Sequence, residues 1–411
     1  MSKTKKSTLD WMHRKLDDLQ QQSQYRTLTE TTLLPNGWLM RNQQKMLNLA
    51  SNDYLGLSLA PIADQDYNHI QSSASNLVLP PDKGQEQHVP IGAAASRLIS
   101  GHSLLYETFE QDFAAYKQTE SALIFNSGYM ANIGVISAIV GRGDIIFSDR
   151  LNHASIIDGS ILSRAEVKRY RHGDLDHLQS LLEKAPAKAK KLIISDSIFS
   201  MDGTVAPIAS LVELKNKYGA MLMIDEAHSG GVYGKQGEGL VHELGLTNEV
   251  EIHMGTFSKA FGSYGAYIAG DQVLKDYLIN HARSFIYTTA MPPQWMVTLR
   301  KQWQTLRDEQ WRREALQERA CWFRNQLQHA GLHIGASTTH IIPVIVGGNE
   351  ETLQFAKRLQ EEGIAAVAIR PPTVRQQEAR IRFTLMSVHQ WEDLQWAVDT
   401  IITTAKAMDL I

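Results

Sequence analysis

An aspartate, a histidine and a lysine stand in fixed order in one stretch of the chain, each close behind a short apolar run. Met221-Leu222-Met223-Ile224 reads as a buried strand, and Asp225-Glu226-Ala227-His228 follows directly. Asp225 therefore falls at the carboxyl end of a strand, where open α/β sheets bind their ligands. Thr256-Phe257-Ser258-Lys259 then leads into the glycine-rich Ala260-Phe261-Gly262-Ser263-Tyr264-Gly265. A lysine whose pKa is lowered by burial is an amine able to attack an aldehyde near neutral pH. A carboxylate held opposite it can keep a heteroaromatic nitrogen protonated.

Together these two services are those of pyridoxal phosphate chemistry, with Lys259 in imine linkage to the cofactor and Asp225 on its ring nitrogen. Other residues fit the remaining needs. Ser127-Gly128-Tyr129 follows an apolar run and opens a helix, and free amides at a helix start hold phosphate. His153 is suited to stack on the ring, Ser200 to bond the ring hydroxyl, and Arg370, before Pro371-Pro372-Thr373, to hold a substrate carboxylate in its fork. Taken one at a time, each has a plainer reading. Lys259 would be a surface lysine, Asp225 a helix cap, His153 and His228 capping, core or surface histidines. Ser200 would be a turn serine, and Arg370 a solvated arginine. Only their number and order favour the cofactor.

Other chemistries fit less well. Asp225-Glu226-Ala227-His228 mimics the metal-binding signature of nucleic-acid-dependent ATPases, but the phosphate loop that reading needs does not occur. His242-Glu243 has no second histidine at metal-binding spacing, so no metal is expected. A dinucleotide-binding G-x-G-x-x-G after a strand is absent.

The elements that must position these residues alternate. Apolar strand runs at 122–125, 145–147, 167–170, 192–195, 221–224, 253 and 266 onward are interleaved with helical patterns at 106–117, 127–139, 155–164, 174–184 and 208–218. That argues for a mostly parallel central sheet covered by helices on both faces. Before it come an amphipathic helix over 7–22, a hairpin over 37–49 and a loop over 68–89. After it come one long helical stretch over 293–330 and a small α+β unit. The unit's strands are expected at 341–346, 365–369 and 380–384, its helices at 350–362 and 390–408. The expected domains are 1–60, the helix and hairpin; 61–290, the cofactor-binding domain; and 291–411, a linking helix and an α+β domain packed with the hairpin.

A chain of 411 residues is long enough for about two or three domains. Its hydrophobic share of 43% and charged share of 21% are those of a soluble globular protein. A net charge of −3 gives no pull toward nucleic acid or anionic lipid. The single cysteine, Cys321, cannot form an internal disulfide. No apolar run reaches the roughly 20 residues that span a bilayer, and the start is too polar for a signal peptide. The cytoplasm is the expected compartment.

Asn52-Asp53-Tyr54-Leu55-Gly56, Ser127-Gly128-Tyr129, Phe199-Ser200-Met201-Asp202-Gly203, Asp225-Glu226-Ala227-His228, Thr256-Phe257-Ser258-Lys259 and Arg370-Pro371-Pro372-Thr373-Val374 resemble the α-oxoamine synthases. These are pyridoxal-phosphate enzymes of the aspartate aminotransferase fold, fold type I. The resemblance runs from Arg26 to the last helix. It implies Lys259 as the imine lysine and Asp225 as the ring-nitrogen partner. Ser200, His228 and Thr256 would contact the cofactor, Gly128 and Tyr129 its phosphate, and His153 its ring. Arg26, Asn52, His153, Arg370 and Thr373 would face the substrate. Thr288 and Thr289 would reach the phosphate of a neighbouring subunit, so a homodimer with shared active sites is implied. The Arg370–Val374 turn and the length are most similar to the member that condenses alanine with a pimeloyl thioester in biotin synthesis, releasing carbon dioxide. The thiol carrier would be coenzyme A or an acyl carrier protein. Glycine with another acyl thioester is the alternative within the family. Gly92-Ala93-Ala94-Ala95-Ser96-Arg97 is poorer in glycine than the family's turn, and Arg375 stands where proline is frequent.

Overall fold

A computed structural model describes residues 8–60 and 90–411. The expected loop over 68–89 and the basic residues Lys3, Lys5 and Lys6 lie outside them. The chain forms two compact units: residues 52–318 with 386–388, and residues up to 51 with 319–385 and 389–411.

The chain begins in the smaller unit with helix Asp10–Gln21. Strand β1 (Thr31–Leu34) precedes the expected hairpin of β2 (Trp38–Arg41) and β3 (Gln44–Asn48), and pairs antiparallel with β2. The sequence did not reveal β1 because it is exposed on both faces and has no apolar alternation.

The larger unit contains β4 (Ser121–Phe125), β5 (Ile145–Asp149), β6 (Glu166–Tyr170), β7 (Lys191–Asp196), β8 (Met221–Asp225), β9 (Ile252–Thr256) and β10 (Ala266–Gly270). They make one sheet in the order β4-β10-β9-β8-β7-β5-β6. The sheet is parallel except for β10, which runs antiparallel to β4 and β9. This is the mostly parallel sheet expected. Alternate residues feed two separate cores, as a strand covered on both faces requires. Ile146, Leu192, Ile194, Met223 and Ile252 pack with helices Gly128–Ile139 and Gln272–His281. Ile145, Phe147, Ile193, Leu222 and Ile224 pack with helices Leu175–Glu183 and Ile208–Tyr218. Register pairs Asp196 with Asp225, and Asp225 with Met254. The strands β7, β8 and β9 thus end together, and their polar terminal residues share one edge.

One long helix was expected over 293–330, but two form: Pro293–Asp308 and Trp311–His329. Glu309 leaves the helical region, and Arg313 turns back to donate to the freed carbonyl of Leu306 at 2.6 Å. Its side chain caps the first helix where no glycine or proline marks a stop.

In the smaller unit β11 (Ile341–Gly347), β12 (Ile364–Ala365), β13 (Ala368–Ile369) and β14 (Ala379–Thr384) follow. The single strand expected over 365–369 is two. β12 pairs parallel with β3, joining the amino-terminal hairpin into a four-stranded sheet. β13 pairs with β14 in a three-stranded sheet.

Candidate active site

At the carboxyl edge of β7, β8 and β9 lies a cavity of about 220 Å³. Gly128, Tyr129, His153, Ser200, Asp225, His228, Thr256 and Lys259 all line it.

Asp225 ends β8 and is buried. Its Oδ2 accepts from Asn132 Nδ2 at 2.8 Å and its Oδ1 from the Ala227 amide at 2.9 Å. Lys259 lies in the loop between β9 and β10. The flanking Phe257 and Phe261 are fully buried and meet edge to face at 5.2 Å. Phe257 also packs on Phe109 and Phe113. Two aromatic anchors on either side thus fix the backbone of Lys259 while its side chain reaches the cavity. Gly262, at φ +60°, allows the loop to close, since a Cβ there would come within 2.5 Å of the Ser58 amide.

Lys259 Nζ lies 2.9 Å from His228 Nε2, and His228 Nδ1 lies 2.6 Å from Tyr54 Oη. Tyr54 Oη donates to Asn52 Oδ1 at 3.1 Å. His228 thus bridges Lys259 and Tyr54 through its two ring nitrogens. Asn52, expected beside the substrate, is thereby linked through Tyr54 to His228.

Ser127 caps helix Gly128–Ile139 by accepting from the Met130 amide at 3.3 Å. The amides of Gly128 and Tyr129 lie outside the helix's own ladder, as first-turn amides do. A Cβ on Gly128 would meet Met254 Cε at 3.0 Å, so a side chain here would press on this wall. Tyr129 itself is tied by its hydroxyl to Asp158. Thr256 Oγ1 donates to the Gly265 carbonyl at 2.9 Å and accepts from the Ser258 amide at 3.2 Å.

His153 precedes helix Ala154–Ser163 and its Nδ1 accepts from the Ser155 amide at 3.3 Å. The residue is exposed and lines the cavity. Desolvation by the surrounding protein still lowers its pKa, and Lys259 lowers it further, against the opposing charge of Asp225. Asp196, at the end of β7, is a second buried carboxyl on the cavity wall, and its Oδ2 accepts from the His153 amide at 2.9 Å. Burial first and the charge of Asp225 second push its pKa well above the usual carboxylate range.

The remaining expected site residues are not among those that line this cavity. Asn126, just before the helix cap, donates to Thr288 Oγ1 at 3.4 Å and to the Thr289 carbonyl at 2.8 Å, but neither threonine lines the cavity. Arg26, Arg370 and Thr373 belong to the smaller unit. There Arg370 donates to the Ser23 carbonyl, and burial followed by the charge of Arg26 lowers its pKa.

Tyr54, Asn132, Ser155 and Asp196 were not singled out from sequence. Asn132 had a signal: it stands four residues after Gly128 and so shares its helix face. Asp196 ends a strand as Asp225 does. Among the described residues no acidic, histidine or cysteine cluster could hold a metal ion.

The residues present fit pyridoxal phosphate: amides at a helix start, a glycine wall, an amine, and a carboxylate at a strand end in one cavity. A model of the aminotransferase class I and II family matches residues 44–401. The chain belongs to that family, in its α-oxoamine synthase branch, and is a pyridoxal-phosphate-dependent enzyme of acyltransferase type. A Bacillus cereus (strain B4264) protein provisionally named as an 8-amino-7-oxononanoate synthase is 50% identical over 397 residues, 96% of this chain and 97% of its own. Serine palmitoyltransferase of Sphingomonas wittichii superposes with a TM-score of 0.87 at 27% identity, covering 98% of this chain and 99% of its own. The 8-amino-7-oxononanoate synthase of Francisella tularensis superposes with a TM-score of 0.72 at 27% identity, covering 89% and 99%. Among the described residues no helix is long and apolar enough to cross a membrane.

Proposed function

We propose that the protein condenses L-alanine with a pimeloyl thioester, giving 8-amino-7-oxononanoate, carbon dioxide and free thiol, as a step of biotin synthesis. The observation that carries the reading is the convergence of Lys259, His228, Asp225 and His153 on one cavity in a chain half identical to a relative bearing that synthase name.

Pyridoxal phosphate, when bound, supplies the electron sink that makes an amino acid's Cα–H acidic. Gly128 and Tyr129 amides hold its phosphate, with Thr288 and Thr289 serving the partner subunit's site in a homodimer. Ser200, His228 and Thr256 hold it in place, and the Asp225 carboxylate keeps a proton on its ring nitrogen. Lys259 Nζ removes the Cα proton, with His228 Nε2 at 2.9 Å as its hydrogen-bond partner. The Cα–acyl bond then forms as the carbon–sulfur bond breaks and the thiol leaves. The amino acid's carboxylate is lost as carbon dioxide, and Lys259 returns a proton to Cα. His153 and Arg370 orient that carboxylate, and Arg26, Asn52 and Thr373 face the substrate. Coenzyme A and an acyl carrier protein both fit as thiol carrier, and the cytoplasm is the proposed compartment.

The higher structural score with serine palmitoyltransferase favours a second reading, in which the amino acid or acyl chain differs. Alanine, glycine and serine, each offered acetyl, pimeloyl and palmitoyl thioesters, separate the two by product mass. The mass of 8-amino-7-oxononanoate from alanine and the pimeloyl thioester alone is expected. A product only from another amino acid or a long acyl chain defeats the first reading.

A further inference from the structure

We propose that Asn132 and Ser155 form a one-way hydrogen-bond bridge from Asp225 that holds His153 as the neutral Nε2–H tautomer. Both would then be positioning residues for the histidine. The bridge has three links: Asn132 Nδ2 to Asp225 Oδ2 at 2.8 Å, Asn132 Nδ2 to Ser155 Oγ at 2.8 Å, and Ser155 Oγ to His153 Nδ1 at 2.7 Å. Asn132 and Ser155 are 1% and 0% exposed, so solvent does not supply alternative partners.

Donor chemistry fixes the direction. Swapping the ends of the Asn132 amide would set its oxygen against a carboxylate oxygen of Asp225, so the NH₂ faces Asp225. Its second hydrogen goes to Ser155 Oγ, which leaves the hydroxyl proton to point onward to His153 Nδ1. The Ser155 backbone N–H aims at the same nitrogen from 3.3 Å, and an amide cannot reverse. Nδ1 thus faces two donors and must present its lone pair. Protonating it would set N–H against the fixed backbone N–H of Ser155. The ring proton sits on Nε2.

The charged groups around the ring are Asp225 and Lys259 across the cavity, Asp158 on its own helix, and Asp196 at the His153 amide. Asp225 and Asp158 alone would favour an imidazolium; desolvation first and Lys259 second lower the ring's pKa against them, and the bridge acts in the same direction. The His153 ring on the cavity wall is then uncharged and oriented, with its position tied to Asp225. Its use in catalysis rests on the function proposed above, but the tautomer is measured without turnover.

Protein labelled with [15N]histidine, with and without pyridoxal phosphate, gives the tautomer from two-bond 15N–1H correlations, His153 being assigned by its loss in His153→Asn. The expected result is an unprotonated Nδ1 and a protonated Nε2 at neutral pH. Ser155→Ala and Asn132→Ala should each raise the proton affinity of His153 about tenfold, the size of one hydrogen bond. The double variant should raise it no further, and Ser155→Thr should restore the original value. An Nδ1–H tautomer in the unaltered protein overturns the proposal, as do single effects that sum in the double variant. If a variant fails to fold by circular dichroism, the tautomer of the unaltered protein decides. A failed product assay would leave this result standing.

Discussion

Asp225 and Glu226 are adjacent acids at the end of one strand, both buried, and they face opposite ways. Asp225 looks into the cavity, where its oxygens accept from one side-chain amide and one backbone amide. Glu226 looks away, into a sealed pocket. Lys117 Nζ, from helix Leu104–Lys117, reaches it at 2.7 Å, and the Val241 amide donates to it at 3.0 Å. His253 stands 3.9 Å off. Burial alone would raise the carboxyl's pKa, but Lys117 and His253 outweigh it and bring it from its ordinary 4.5 to about 2. Two neighbours of one chemistry are thus divided by the pleat of a strand. One is available to a ligand, and the other ties the 226–241 loop to the fold.

Substitutions on the two sides should separate chemistry from stability. Lys259→Ala is the largest expected effect: turnover should fall by roughly 10³-fold or more, with the cofactor's visible absorbance lost and the thermal midpoint of cofactor-free protein unmoved. Lys117→Met acts on the other side. It leaves Glu226 buried without its lysine partner, a loss of about 3–5 kcal/mol, read by urea unfolding of the cofactor-free protein. The comparison breaks if Lys117→Met reduces turnover while leaving stability intact.

Acid titration sharpens the same contrast. A carboxyl whose folded pKa is depressed stabilises fully above its unfolded pKa and ceases to do so as pH falls through the folded one. For Glu226 the window runs from 4.5 down to about 2. Across it stability should drop by about 3 kcal/mol. Glu226→Gln should flatten that segment of the thermal-midpoint curve, and an unchanged slope would remove Glu226 as its source.

The strand–helix alternation was legible because strands buried on both faces read as apolar runs, and helix starts carried caps such as Asp174, which accepts from the His177 amide. Asp225, Lys259 and Ser127-Gly128 were legible because they follow such runs directly. What failed to show depends on distance in space. Lys117 lies 109 residues from Glu226, and the Asn132–Ser155 bridge joins two helix starts. No local pattern reports either. Exposed β1 and the break at Glu309 were hidden for a related reason: pairing and an arginine side chain define them, not turn residues.

Asp196 should give the smallest effect and the most diagnostic sign. Its carboxyl has one backbone donor where Asp225 has two donors, and the neighbouring Asp225 carboxyl raises its pKa further. A folded pKa above the unfolded value makes its contribution greatest in acid and progressively lost as pH rises. Asp196→Asn keeps an oxygen for the His153 amide and removes the ionisation. At neutral pH it should therefore raise the stability of cofactor-free protein, by about 1.4 kcal/mol for every tenfold that folding adds to the carboxyl's proton affinity. Below about pH 4 the gain should vanish, because the native aspartate is then protonated in both folded and unfolded chains. A uniform loss at both pH values would mean that Asp196 stabilises as an anion, and that the cavity tolerates two charges where the geometry supports one.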